Sequence, residues 1–400
     1  MKEKNYIYKS ISGFITNYLE GDLIIWTVVF LLSIISILAV YSSTGTLAYK
    51  YQSGNTEYYM IKHLSIILMG IGLMYVAHLV KYTYYSRIAQ ITLYISVPML
   101  FLTLLMGTNL NHASRWITVP GLGMTFQTSD FAKLALIMYV ARMLSKNQEN
   151  IKDLKEGFLP IMIPVLIVCG LILPANLSTS ALLFATCLVL MFIGRVNIKY
   201  LSMLVGSGIV AFALFILIAP YFTQSSRIAT WHHRIENFIH SDKTETAKSE
   251  DANYQAEQAK ISIATGGIFG KAPGKSVQRN FLPHPYSDFI YAIIIEEYGF
   301  IGGIAVILLY LILLYRSIRI ANKTSNTFGA LLAVGCCFSL IFQAMINMGV
   351  AVNLLPVTGQ ALPLVSMGGT SVWFTSIAIG IILSVSKDIN NVKTVPDGIA

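Results

Sequence analysis

The sequence predicts an all-α polytopic membrane protein with ten transmembrane helices. Of its 400 residues, 55% are hydrophobic and only 12% are charged, about half the charged fraction of an average soluble domain. The mean hydropathy of +0.65 points the same way. This composition excludes a disordered chain, a disulfide-stapled secreted domain and an ordinary cytosolic enzyme.

Each predicted span is an apolar run of about 20 residues, the length that crosses a bilayer as a helix. Helices are expected because backbone that faces lipid must satisfy its own hydrogen bonds. The first run reads as an uncleaved anchor, since it is too long for the core of a signal peptide. In chain order the runs cover 22–42, 60–80, 88–107, 127–144, 157–173, 178–195, 198–219, 287–315, 328–351 and 366–386.

The distribution of basic residues predicts the orientation of the protein in the membrane. Most of the 28 lysines and arginines flank the spans on one side, which predicts that both termini are cytoplasmic. Residues 1–21 then form a cytoplasmic N-terminal segment, 22–386 the membrane domain and 387–400 a cytoplasmic C-terminal tail. One large extracytoplasmic loop, 220–286, joins helices seven and eight. The net charge of +9 is attributed to cytoplasmic loops rather than to nucleic-acid binding. The four cysteines lie in apolar runs, which argues against disulfides and zinc.

The eighth span opens with the most suggestive carboxylate. Ser287 is a predicted N-cap, and Asp288 would lie in the first turn, at the positive end of the helix dipole. Asp288 is then either a helix-start carboxylate or a general base at the outer membrane face. Glu296 and Glu297 lie deeper, where a charge needs a partner or a polar cavity, so they form either a structural ion pair or a substrate contact.

Further polar groups lie in and before the fourth span and in the last connection. Gln127, Asp130 and Lys133 share one helix face; Lys133 either pairs with Asp130 or reaches across the bundle toward an acid or an anionic headgroup. Arg115 stands beside Trp116 in an external loop, an arrangement that suits a phosphate or a sugar. The Pro- and Gly-rich stretch 353–371 predicts a re-entrant or broken-helix element that lines a cavity, the alternative being a loop with a Gly-rich helix contact.

These residues resemble the bacterial SEDS family (shape, elongation, division and sporulation) from Asp22 to Ser371. The resemblance rests on four segments: Ala113–Trp116 with Phe126–Lys133, Tyr254–Gly270, Gly274–Gly303 and Leu355–Ser371. It implies a SEDS-type glycosyltransferase fold and a polymerase that joins lipid II into peptidoglycan strands. Gly274–Gln278 followed by Phe281–Pro283 looks like the division branch rather than the elongation branch.

The resemblance also implies roles, partners and a location. Asp288 would be the catalytic base, and undecaprenyl pyrophosphate would leave. Arg115 and Lys133 would stabilise the pyrophosphate, with a divalent cation such as Mg²⁺ or Mn²⁺ as an additional source of charge, although no cofactor is certain and the metal ligands are unknown. The family works with a class B penicillin-binding protein (a transpeptidase) and other division proteins at the septum of the bacterial cytoplasmic membrane. The further substrate-binding candidates are Gln127, Arg234, Gln255, Glu296 and Ser366.

The chain departs from the family pattern at several positions. Ala175–Thr179 replaces a Pro-Asp-x-Gly-Thr run, and His284 and Tyr286 replace the usual Glu and His before the catalytic Asp. Asp130 stands for Glu, and Met367 for Tyr. The first two changes put a base relay or metal role near those positions in doubt.

Two functions of other classes compete with the polymerase. A lipid II flippase would use the intramembrane charges as a translocation path, but the sequence lacks the related halves typical of transporters. A noncatalytic scaffold for division proteins would use the long loop for docking, and would not need Asp288.

Overall fold

The computed structural model describes residues 19–110, 113–118, 125–218 and 250–393. Within these ranges a helix corresponds to each of the ten predicted spans, and two further helices and a small sheet lie between them. In chain order the elements are α1 Leu23–Ser43, α2 Gly45–Tyr51, α3 Thr56–Leu79, α4 Tyr82–Met106, β1 Thr108–Leu110, β2 Ala113–Thr118, β3 Thr125–Gln127, α5 Thr128–Lys146, α6 Leu159–Ile172 after a π-helical turn at Leu154–Phe158, α7 Leu177–Ile193, α8 Ile198–Ile218, α9 Glu250–Gly266, a 3₁₀ turn at Gln278–Asn280, α10 Ile290–Lys323, α11 Thr327–Ala351 and α12 Thr370–Lys393.

Seven helices of the described chain are long and apolar enough to cross a membrane: α1, α3, α4, α6 with its π-helical turn, α10, α11 and α12. Large apolar side chains on the periphery, such as Phe30, Tyr94 and Leu105, are more than 60% exposed. A soluble protein would bury such a surface, so it is the lipid-facing side of a multi-pass membrane protein. The coarse prediction, an all-α polytopic membrane protein, is thereby confirmed, while the count of ten spans stays a prediction.

Helix α11 lies at the centre of the bundle, with 72% of its apolar window buried. It packs against α5, α7, α10 and α12. On one side of the membrane, α1 is fastened to α10 because Arg316 Nε donates to Asp22 Oδ2 at 2.7 Å, while Asp22 Oδ1 caps α1 through the Ile24 amide. The central position of α11 brings polar groups from several helices to one place.

Helix α10 is kinked at Gly299, whose φ of +71° lies in the left-handed region. A Cβ at this position would lie 2.1 Å from the carbonyl oxygen of Ile268. Only glycine therefore allows the segment that follows α9 to pack this closely against the kink. That segment is tied across the kink by backbone hydrogen bonds from Lys271 to the carbonyl of Glu296 and from Phe300 to the carbonyl of Gly267, both 2.9 Å.

Several elements differ from the predictions. The Ser287 N-cap is wrong: α10 begins at Ile290, with Phe289 at the cap position, and it ends at Lys323 rather than at residue 315. The short helix α2, helix α9 inside the long loop, and the antiparallel sheet of β1, β2 and β3 were not predicted. Strands of three to six residues are too short to be recognised from the periodicity of apolar residues.

Candidate active site

Asp288 lies in a turn immediately before α10 and is half-buried. Its Oδ1 accepts a hydrogen bond from Ser287 Oγ at 2.9 Å. Its Oδ2 faces Gly359, whose left-handed φ of +67° and missing side chain keep the approach open: a Cβ there would lie 3.5 Å from the oxygen. The carboxylate is thus held by its neighbour while staying partly accessible.

The turn that carries Asp288 is anchored by residues 352–369, which we call the α11–α12 segment. Ser366 Oγ donates to the carbonyl of Ser287 at 2.6 Å and accepts from the amide of Leu362 at 2.7 Å. The Met367 amide donates to the carbonyl of Tyr286 at 2.9 Å. The first part of the segment is exposed, but residues 362–366 are irregular backbone buried within the protein, the environment that such backbone needs at membrane depth. Ser366 therefore positions the turn of Asp288.

Two carboxamides on α11 extend this anchorage. Asn347 Nδ2 donates to the carbonyls of Asp288, at 2.9 Å, and of Gln360, at 2.7 Å. One helical turn earlier, Gln343 Nε2 donates to the carbonyl of Ala361 at 2.8 Å. Sequence reasoning missed both residues. The signal that could have found them is a pair of amides four residues apart, hence on one helix face, inside an apolar span.

Lys133 makes the predicted pair with Asp130 and also reaches across the bundle, where it meets an amide rather than an acid or an anionic headgroup. Its Nζ lies 3.2 Å from Asp130 Oδ1 and donates across the bundle to Gln343 Oε1 at 2.9 Å. Lys133 and Asp288 are therefore joined through Gln343, the α11–α12 segment and Asn347. Both members of the ion pair are largely buried, with side-chain exposures of 14% for Lys133 and 5% for Asp130.

A small cavity lies beside this ion pair, between α5, α11 and α12. Its volume of about 20 Å³ accommodates about one water molecule. Asp130, Lys133, Ser339, Ser371 and Thr375 contribute the polar part of its lining. Within the described chain Asp130 Oδ2 is buried and has no hydrogen-bond partner, so the cavity offers it a water site.

The other site residues that the sequence predicts lie on separate elements or outside the described chain. Gln127 is the last residue of β3. Its backbone amide donates to Thr370 Oγ1 at 3.2 Å, and its side-chain Nε2 donates to Ser129 Oγ at 3.0 Å. Gln255 lies half-buried on α9, which packs against α10. The backbone of Arg115 is part of β2, but its side chain lies outside what the structure describes, as does all of Arg234.

Glu296 is fully buried and belongs to an anchoring cluster rather than to the surroundings of Asp288. Its carboxylate accepts hydrogen bonds from Lys271 Nζ at 2.7 Å, Ser276 Oγ at 2.5 Å and the Val277 amide at 3.0 Å. Ser262 Oγ of α9 donates to it at 3.1 Å. These contacts favour the structural ion pair among the two predicted alternatives.

Glu297 extends the same cluster toward α1. Its Oε1 accepts from Ser42 Oγ and from the Ser276 amide, while Arg279 Nη1 donates to the carbonyl of Ser42 at 2.9 Å. Two carboxylates and two cations, Lys271 and Arg279, thus fasten the chain after α9 to α10 and α1. Burying charges is tolerated here because each is paired or hydrogen-bonded.

Among the described residues, no three His, Cys, Asp or Glu side chains come together in the arrangement of a metal site. The chemistry below is described for the side chains of the chain.

A family model described as "Cell cycle protein", FtsW/RodA/SpoVE, matches residues 22–391. The chain belongs to this family. The resemblance to the SEDS family is confirmed, and the match spans α1 to α12.

Individual relatives agree with the FtsW/RodA/SpoVE assignment. The probable peptidoglycan glycosyltransferase FtsW of Trichlorobacter lovleyi is 33% identical over 372 residues, 92% of this chain and 93% of the relative. Stage V sporulation protein E of Bacillus subtilis is 32% identical over 376 residues, 93% and 98% of the two chains.

Solved structures support the fold. A chain from a peptidoglycan synthase complex, described for its structural coordination of polymerization and crosslinking, matches with a TM-score of 0.71 at 23% identity, over 92% of this chain and 98% of that one. Rod shape determining protein RodA of Thermus thermophilus matches with a TM-score of 0.64 at 24% identity, over 93% and 98%.

Proposed function

We propose that this protein is the peptidoglycan glycosyltransferase that polymerises lipid II into glycan strands during bacterial cell division. The enzyme class follows the names of its FtsW relatives. The observation that carries the mechanism is a half-exposed carboxylate, Asp288, whose turn is held by Ser366 and Asn347 and joined through α11 to a buried lysine.

The reaction uses Asp288 as general base. The 4-hydroxyl of a lipid II GlcNAc attacks the anomeric carbon of the lipid-linked MurNAc of the growing chain, and its proton passes to the Asp288 carboxylate. The new C1–O bond forms as the bond to undecaprenyl pyrophosphate breaks with inversion, and the electron pair leaves with the pyrophosphate. Lys133 and Arg115 supply positive charge for that leaving group.

The proposed setting follows from the same assignment. With ten spans and the basic residues on the inner side, both termini would lie in the cytoplasm and residues 220–286 outside the bacterial cytoplasmic membrane, with the protein at the septum. A class B penicillin-binding protein would cross-link the strands, and the relationship to a chain of a peptidoglycan synthase complex supports such a partnership. The division role, against sporulation or elongation, rests on the FtsW names among the relatives.

One observation weighs against the flippase. Glu296 and Glu297, which would line a translocation path, are 0% and 1% exposed and are tied to the chain after α9.

Synthesis of glycan from purified lipid II tests the proposal. Wild type, Asp288→Asn and Asp288→Glu are each assayed with and without the transpeptidase partner, with moenomycin present to silence transglycosylases of other families. We expect polymer from wild type, at least about a hundredfold less from Asp288→Asn, and partial activity from Asp288→Glu, since general-base catalysis contributes about 10²- to 10⁴-fold.

The outcomes separate the candidate functions. Polymer from folded Asp288→Asn at the wild-type rate would remove the carboxylate from the mechanism. If wild type and partner form a stable complex yet make no polymer, the polymerase proposal fails, and transport of fluorescent lipid II in vesicles then decides between flippase and scaffold.

A further inference from the structure

Aromatic rings from two distant parts of the chain gather beside Asp288. One group lies on α2 and the first turn of α3, and the other just before Asp288. Helix α2 is fixed against the chain that leads to Asp288, because Thr46 Oγ1 donates to the carbonyl of Arg279 at 3.2 Å. We call the five rings the aromatic cluster: Tyr51, Tyr58, Tyr59, His284 and Tyr286.

Within each group the rings pack edge to face, the favoured geometry for aromatic pairs. The centroids of Tyr58 and Tyr59 lie 5.3 Å apart with an interplanar angle of 86°. Those of His284 and Tyr286 lie 6.1 Å apart at 80°, with His284 Nδ1 3.4 Å from the Tyr286 hydroxyl. Each pair therefore presents a ring face and a polar edge together.

Tyr286 lies two residues before Asp288. Burial raises the pKa of its phenol, and the Asp288 carboxylate and the phenols of Tyr59 and Tyr51 act in the same direction. Its backbone carbonyl is held by the Met367 amide at 2.9 Å, so the ring is carried by the same α11–α12 segment that anchors the turn of Asp288.

The cluster is open to the outside. Tyr51 is 62% and Tyr58 45% exposed, and His284 is exposed as well. Lys50 Nζ lies over the Tyr51 ring, 5.4 Å from its centroid, and occupies part of the space next to that ring. The exposed surface thus combines flat apolar faces with phenol and imidazole edges.

This surface chemistry matches a carbohydrate. A pyranose ring has apolar C–H faces that stack on aromatic rings and hydroxyl edges that hydrogen-bond to phenols and imidazole. An acyl chain would gain little from five polar-edged rings and would be better met by leucine or isoleucine. Tyrosines are also common at membrane interfaces as lipid anchors, and this is the alternative that an experiment must exclude.

We propose that the aromatic cluster is a saccharide-binding subsite for the sugar whose hydroxyl is deprotonated at Asp288, the GlcNAc of the acceptor lipid II. This rests on the proposed function. The subsite would fix the acceptor ring by stacking while Asp288 takes the proton.

Binding of a lipid-free tetrasaccharide of alternating GlcNAc and MurNAc tests the subsite, measured by calorimetry on detergent-purified full-length Asp288→Asn, which binds without turnover. Tyr51→Ala and Tyr58→Ala, each made in that background, should weaken binding about three- to tenfold. Tyr49→Ala is the matched control: Tyr49 is 79% exposed on the same helix as Tyr51, but its ring packs over Gly54. It should bind as the parent does.

The same substitutions in the Asp288 protein give a second readout. The KM for lipid II should rise in Tyr51→Ala and Tyr58→Ala, with Tyr49→Ala unchanged. If all three variants bind and polymerise alike, or if the folded parent binds no tetrasaccharide, the cluster is an interfacial belt and the subsite is refuted. Tyrosine-dependent binding in a protein that makes no polymer would support the subsite and refute the polymerase instead.

Discussion

At the scale of single residues, substitutions can separate the structural role of the Lys133–Asp130 ion pair from the chemical role proposed for Lys133. Removing Lys133 leaves Asp130, 5% exposed and with one oxygen already unpartnered, as an uncompensated buried charge. Breaking such a pair costs about 3–5 kcal/mol. We therefore expect Lys133→Met to lower both the thermal unfolding temperature in detergent and glycan synthesis.

The double variant Lys133→Met with Asp130→Asn distinguishes the two roles. It has no buried charge at this site, so most of the lost stability should return. Glycan synthesis should stay low, because the positive charge for the pyrophosphate is still absent. Lys62→Met, at an exposed position on α3, is the control for losing a lysine from a span. Wild-type synthesis by the double variant would show that Lys133 only balances Asp130.

Residue chemistry could be predicted from the sequence where a polar group stands alone in an apolar run. Glu296 was singled out in this way, because a charge at membrane depth needs a reason. Asp288 was singled out by its place at the start of a span and by the resemblance to the SEDS family. The partners were not predictable: Glu296 is paired with Lys271, 25 residues earlier, in a segment whose path depends on the whole loop. Gln343 and Asn347 are uncharged and therefore give a weaker signal in the same kind of run.

At the scale of elements, the kink in α10 determines how the chain after α9 docks. An alanine at Gly299 would need a positive φ and would place its Cβ 2.1 Å from a backbone oxygen of Ile268. Neither strain can be relieved without breaking the hydrogen bonds across the kink. We expect Gly299→Ala to lower the unfolding temperature strongly and to expose residues 267–272 to limited proteolysis.

A second glycine-to-alanine substitution separates this effect from a general one. Gly72 lies inside α3 with open space around its missing Cβ. Because alanine favours a helix over glycine by about 1 kcal/mol, Gly72→Ala should leave stability equal or higher. Equal unfolding temperatures for the two variants would contradict the docking role of the kink.

The sequence predicts long apolar helices well and short or polar elements poorly. The ten apolar runs each correspond to a helix because about 20 apolar residues have few other stable forms in lipid. The start of α10 was misplaced because Ser287 hydrogen-bonds to Asp288 instead of capping the helix. Helix α9, with 17 residues of mixed polarity, shows no apolar run and owes its position to packing against α10.

At the scale of the whole molecule, the orientation in the membrane can be tested with the protein's own cysteines as a silent background. Cys169, Cys187, Cys336 and Cys337 are all buried, so a membrane-impermeant maleimide should not label the folded wild type. Single cysteines introduced at exposed positions then report the side of the membrane on which they lie. Phe269, 81% exposed after α9, tests the proposed outer face, and Lys152, exposed between α5 and α6, tests the cytoplasmic face.

If the basic residues set the orientation as proposed, Phe269→Cys is labelled in intact bacterial spheroplasts, and Lys152→Cys only after permeabilisation. We expect the active-site turn on the same side as Phe269, because both precede the descent of α10 into the membrane. Labelling of Lys152→Cys in intact spheroplasts would show that the protein has the opposite orientation in the membrane. Asp288 would then face the cytoplasm, where a polymerase cannot extend an external wall, and the flippase or scaffold would become the better explanation.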